Sequence, residues 1–220
     1  MADPMHIDES EYITNITAQN IRTGAKLLSY IFRPAYFPLL GFSILFLFTY
    51  LNLLPTTFKL TVLAMVWFLT IGLPHLIIYT IRHLKDLTPH QIHLQHNRSI
   101  VYITNIICYL ACLNLCHQIH LPMFMSAIMI SSLLVQCICV IINFYHRISL
   151  HSAGTGLIIG TMMAYSFIFN FNPTWWLITT LILSGAVMTS RMILVRHTLN
   201  QVLGGTAIGI ICGFLTVIYV

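Results

Sequence analysis

The chain has 220 residues, of which 58% are hydrophobic and only 7% charged, and ten Lys and Arg outweigh five Asp and Glu for a net charge of +5. A water-soluble domain of this length would lack the polar side chains to cover its surface, so the composition excludes one and points to a polytopic membrane protein. The cations flank apolar runs, which favours lipid head groups or an anionic substrate over nucleic acid as their partners.

Residues 1–33 read as a polar N-terminal tail and interfacial segment. The first 26 are mixed in sign (Asp3, Asp8, Glu9, Glu11, Arg22, Lys26), and no short apolar core with a small-residue cleavage site follows, so a cleavable leader is not expected. Residues 34–220 read as one transmembrane helical domain. The expected fold is all-α, a helix bundle of about six to seven spans. Seven apolar segments are long enough to cross, near 35–54, 60–81, 99–117, 121–143, 153–171, 174–194 and 202–220. Pro34, Pro38, Pro55, Pro122 and Pro173 fall at or near segment ends, where proline opens or closes a helix. Pro74 lies inside the second segment and is expected to kink it. The first segment is ambiguous, because Arg33, Pro34 and Pro38 also fit an interfacial or re-entrant piece.

Within these segments most polar signals have a packing explanation. Cys108, Cys112 and Cys116 form an i, i+4, i+8 stripe and, with Cys137, Cys139 and Cys212, read as reduced space-fillers rather than a disulfide framework. His75, next to Pro74, is expected to hydrogen-bond across helices. His90, His93 and His96 in "HQIHLQH" have helical spacing but no carboxylate or cysteine beside them, which favours an amphipathic interfacial turn over a metal site. No metal or other cofactor is expected. Trp175 and Trp176 read as an interfacial anchor. Counting crossings puts residues 1–33 and the loops around 82–98, 144–152 and 190–201 on one side, with every Lys and Arg except Lys59. That bias predicts a cytoplasmic location for this side.

Three polar islands share it: Arg98 in "HNRSIVY", Ser149 and His151 in "RISLHSAGTG", and Ser190, Arg191 and His197 in "SRMILVRHTLNQ". Two spans separate each island from the next, so all three can meet at one depth and build a single anion-holding site. These residues resemble the three-part signature of the type 2 phosphatidic acid phosphatase superfamily, K-x6-R-P, P-S-G-H and S-R-x5-H-x3-D, and the texture is that of compact bacterial membrane members. Ser190-Arg191 and His197 fit the third part, Ser149 and His151 the second, and Arg98 the first, with Gln91 at its lysine and Gln201 at the final acidic position.

The resemblance implies an inner-membrane, multi-pass hydrolase acting on a lipid phosphate or diphosphate through a phosphohistidine. His197 would be the nucleophile, His151 the general acid and base, and Gln201 the residue orienting His197. Arg98, Arg191, Ser149 and Ser190 would hold the phosphate. Many bacterial relatives of this kind act on the outer membrane face, opposite to the charge bias here. The two glutamines keep an alternative open, a catalytically weak relative that is a structural or lipid-binding subunit. Partners left open are the anionic lipid itself, surrounding lipids, and a homo-oligomeric or membrane-complex neighbour.

Overall fold

The protein is described by a computed structural model covering residues 9–48, 50–84 and 95–220, with side chains over 17–47, 51–81, 83 and 101–220. All regular structure in these residues is helical. Helix α1 (Glu9–Ile31) leads through a 3-10 turn at Pro34–Tyr36 into α2 (Phe37–Phe48). Pro34 has no N–H to continue α1, and the two helices meet at a bend of 40°. The first apolar segment therefore differs from the expected 35–54 crossing: α2 itself has 12 residues and acts with the end of α1.

A 3-10 turn (Tyr50–Leu53) and Pro55 precede α3 (Thr56–Trp67), which passes through a π-turn at Phe68–Gly72 into α4 (Leu73–Leu84). The expected kink at Pro74 takes a different form. The helix widens one turn ahead of the proline, where Leu73 N–H bonds the Phe68 carbonyl, and Thr56–Ile81 stays one span. The remaining helices are α5 (Gln95–Gln118), α6 (Met123–Tyr145), α7 (Leu150–Phe169), α8 (Thr174–Ile193) and α9 (Leu199–Tyr219).

Among the described residues, five helices are long and apolar enough to cross a membrane: Thr56–Ile81, α6, α7, α8 and α9. Counting the bent α1–α2 pair as a broken span gives six. Helix α5 has the length to cross as well, and its opening residues 95–100 lie partly outside the described ones. The chain is thus a multi-pass helical membrane protein. Its main core lies among α2, α3, α5, α6 and α7, where Cys112 and Cys116 pack with Phe42, Phe46, Val66, Met125 and Met129.

The pair that frames the site is α7 and α9, which run parallel with almost nothing between their backbones. A Cβ at Gly156 or Gly160 would collide with the carbonyls of Thr206 and Ile210. One at Gly209 would strike the Ala153 carbonyl, and one at Gly213 the Leu157 carbonyl at 2.7 Å. Small-xxx-small spacing on both helices permits this approach, and dispersion between two backbones replaces side-chain packing.

Candidate functional site

Parallel packing brings the first turns of α7 and α9 to the same end of the bundle. Ser149 is the N-cap of α7, fully buried, and its hydroxyl oxygen accepts the Ser152 N–H at 3.4 Å. Ahead of it, Ile148 N–H bonds Asn143 Oδ1 at 2.9 Å, and Ser149 N–H reaches the Gln201 carbonyl at 3.5 Å. These contacts fix His151, the second residue of α7, against the opening of α9. Two helix N-termini side by side present partial positive charge toward that end.

Helix α8 arrives at this end from the other direction. It stops in a Schellman motif, with Arg196 N–H on the Arg191 carbonyl at 3.1 Å and Val195 N–H on the Met192 carbonyl at 2.9 Å. The left-handed position is filled by Val195 at φ 52°, a β-branched residue where glycine is usual. The tight stop leaves Ser190 and Arg191 in the last turn and swings His197 over the site. Ser190 is buried, and its hydroxyl donates to the Val187 carbonyl at 2.7 Å and lies 3.4 Å from Ser29 Oγ. Arg191 Nη1 donates to Ser29 Oγ at 3.2 Å. Both motif serines therefore support the site from behind, one as a helix cap and one as a link to α1.

The tautomer of His197 follows from its neighbours. Gln201 Oε1 lies 3.2 Å from Thr198 N and 3.2 Å from His197 Nδ1. A backbone N–H can only donate, so the facing atom is the amide oxygen. That oxygen can only accept, so the neutral ring carries its proton on Nδ1. Nε2 keeps the lone pair. Gln201 performs this within a capping box, at the third position of α9 with Thr198 as N-cap, so the bond that starts the helix also orients the imidazole.

His151 is half-buried among cations. Its ring lies within hydrogen-bonding reach of the Ser29 backbone and in the electrostatic field of Arg191, His197 and Arg33. Arg33 is itself held twice: its guanidinium carbon sits 4.4 Å from the Tyr30 ring centroid, and Nη1 lies 3.3 Å from His75 Nε2. His75 Nδ1 is 2.8 Å from the Ile71 carbonyl on the π-turn, which can only accept. His75 is thus the Nδ1–H tautomer and offers Nε2 as acceptor to Arg33. From residue 12 onward the only carboxylate side chain is Asp86, so Arg33, Arg191 and Arg196 have no acidic residue near them along the chain.

Of the residues expected from sequence, His151, Ser190, Arg191, His197 and Gln201 come together, and Ser149 stands directly behind them. Arg98 lies in the first turn of α5, with its side chain outside the described residues, as is that of His96. Gln91, His90 and His93 also lie outside them. Sequence reasoning missed Ser29, Arg33 and His75 as site residues. An arginine followed by proline at an apolar boundary was the available signal for Arg33. No family model, curated protein or solved structure matches the chain.

Proposed function

We propose that the protein is an integral inner-membrane phosphatase acting on a lipid phosphate or diphosphate through a phosphohistidine, in the manner of the type 2 phosphatidic acid phosphatases that its motifs resemble. The observation that carries this reading is the oriented His197, its Nδ1 proton held by Gln201, close enough to His151 to act on it electrostatically together with Arg191. Nε2 attacks phosphorus, and the P–O bond to the lipid breaks. His151, which the bound phosphate's negative charge allows to take up a proton, gives that proton to the departing alkoxide. It then takes a proton from water, whose oxygen attacks the phosphohistidine and releases phosphate. Guanidinium groups of Arg191 and Arg33, together with Arg98, balance the charge spread over the equatorial oxygens. Among the described side chains no carboxylate competes for those cations.

The test is phosphate release by the detergent-solubilised protein from phosphatidate, phosphatidylglycerol phosphate, lipid A and a polyprenyl diphosphate. His197→Ala is expected to abolish turnover on whichever is a substrate, and an acid-labile phosphoprotein should form in wild type alone. Turnover unaffected by His197→Ala would overturn the mechanism. One observation favours a second reading, a lipid-binding subunit without turnover: Gln201 orients the imidazole but cannot stabilise an imidazolium by charge. Tight binding of anionic lipid with no phosphohistidine in wild type would support it.

A further inference from the structure

An arginine at a membrane boundary ordinarily snorkels toward head groups with its side chain free to turn. Arg33 is instead fixed from two directions. Its guanidinium carbon lies 4.4 Å from the Tyr30 ring centroid, and Nη1 donates to His75 Nε2 at 3.3 Å. The imidazole is fixed in turn, since its Nδ1–H bonds the Ile71 carbonyl at 2.8 Å. That carbonyl belongs to the π-turn Phe68–Gly72 just ahead of Pro74, so the widened turn sets where the ring stands. Such turns inside α-helices recur at functional positions. The bond to His75 does not use the Nε–Nη2 edge of the guanidinium, the edge that pairs with two oxygens of one phosphate. Imidazole also suits the task electrically. A carboxylate at position 75 would hold Arg33 but cancel the charge that an anion needs, whereas a neutral ring aims the cation and leaves its charge whole.

We propose that His75 is a positioning residue, which holds the Arg33 guanidinium at the angle where it pairs with the phosphoryl oxygens of the substrate. Arg33 is close enough to His151 to act on it electrostatically, and Ser29, one turn earlier on α1, takes a hydrogen bond from Arg191 Nη1 at 3.2 Å. The bend between α1 and α2 thus meets α8 through Ser29 and the π-turn through Arg33. His75 ties α4 to the phosphate site without itself touching phosphate. A hydrogen bond between exposed groups adds little to folding stability, because water serves both partners nearly as well. Its effect falls on aim: a phosphate that meets a guanidinium already in place loses no binding free energy to ordering that side chain.

This inference rests on the phosphatase reading for the identity of the anion, and the experiment separates the two. Binding of dodecyl phosphate in dodecyl maltoside micelles is measured on His197→Ala protein, where no phosphohistidine can form. His75→Ala, or His75→Leu should alanine pack poorly, is expected to weaken binding about tenfold. His75→Gln, whose amide oxygen can accept from Nη1 at similar reach, should restore most of that loss. Arg33→Ala should weaken binding at least as much as His75→Ala. Adding His75→Ala to it should change binding no further, since His75 acts through Arg33. A purely structural role would give losses that add and that glutamine fails to repair. Either of those results, no binding by the parent protein, or binding unaffected by His75→Ala would overturn the proposal. The full expected pattern in a protein whose wild type releases no phosphate from any lipid would instead retain the Arg33–His75 pair and remove the phosphatase.

Discussion

Gln201 carries two bonds on one oxygen, to Thr198 N–H and to His197 Nδ1–H, and each has a separate consequence. The first starts a helix; the second selects which nitrogen meets phosphorus. Gln201→Glu keeps both acceptors, retains the capping box, and adds negative charge at a helix N-terminus, worth about 0.3–1 kcal/mol of stability. It also places a carboxylate beside the ring that becomes cationic on phosphorylation. Turnover on the lipid substrate is expected to rise about tenfold or more, given that losing such a carboxylate at a comparable triad costs about 10⁴. Gln201→Ala should lower turnover by at least tenfold. Measured kcat and thermal stability of both variants check this, and a Gln201→Glu protein with lower kcat than wild type would refute the orienting role. The residues of this centre were legible because S-R-x5-H is a local pattern, written within one helix end and one loop. Ser29, Arg33 and His75 were not, since their meeting depends on a 40° bend and a π-turn, neither of which has a spacing to read.

Helix α7 and helix α9 turn that chemistry into geometry. Their shared seam joins Gly156 and Gly160 to Gly205, Gly209 and Gly213, with backbone in contact with backbone along three turns. The repeat of glycine every fourth residue in "GGTAIGIICG" was present in the sequence, but it has meaning only when the matching pair on α7 lies opposite. Gly209→Ala would press a methyl group against the Ala153 carbonyl and the Leu157 nitrogen, neither of which can rotate away. The cost is expected at about 1–3 kcal/mol, with the helices forced apart. Separation would stretch the 3.5 Å bond from Ser149 N–H to the Gln201 carbonyl and pull His197 from His151, so activity should fall with stability. Gly204→Ala is the control. It sits in the same helix with nothing within 4 Å of its new Cβ, and its melting temperature should match or slightly exceed wild type. Equal effects at 204 and 209 would mean that helix propensity, and not the seam, governs the pair. The expected kink at Pro74 illustrates the same scale from the other side: proline forbids one hydrogen bond, and the helix answered by widening a turn, which sequence alone does not choose between.

Across the whole molecule, the side chains proposed to meet the phosphate lie near a helix end or bend: Arg33 at the α1–α2 bend, His151 opening α7, Arg191 closing α8, and His197 ahead of α9. With seven crossings, α5 among them, all Lys and Arg except Lys59 are expected on the same side as these groups. Cations near short loops resist translocation, so this side is expected to face the cytoplasm even though bacterial enzymes of the resembled superfamily often work on the outer face. The arginines that serve the site inflate the bias, but Arg22, Lys26, Arg82, Lys85, Arg147 and Arg196 remain after Arg33, Arg98 and Arg191 are removed. Two exposed positions report the two faces: Val195, 82% exposed in the loop after α8, and Leu53, 90% exposed in the turn before α3. A membrane-impermeant maleimide should modify Val195→Cys in inverted vesicles and not in intact cells, and Leu53→Cys in the reverse pattern, each read as a mass shift against wild type. Cys108, Cys112, Cys116 and Cys139 are buried and should contribute little background. Labelling of Val195→Cys from outside intact cells would reverse the orientation, and the substrate lipid would then have to be drawn from the outer leaflet.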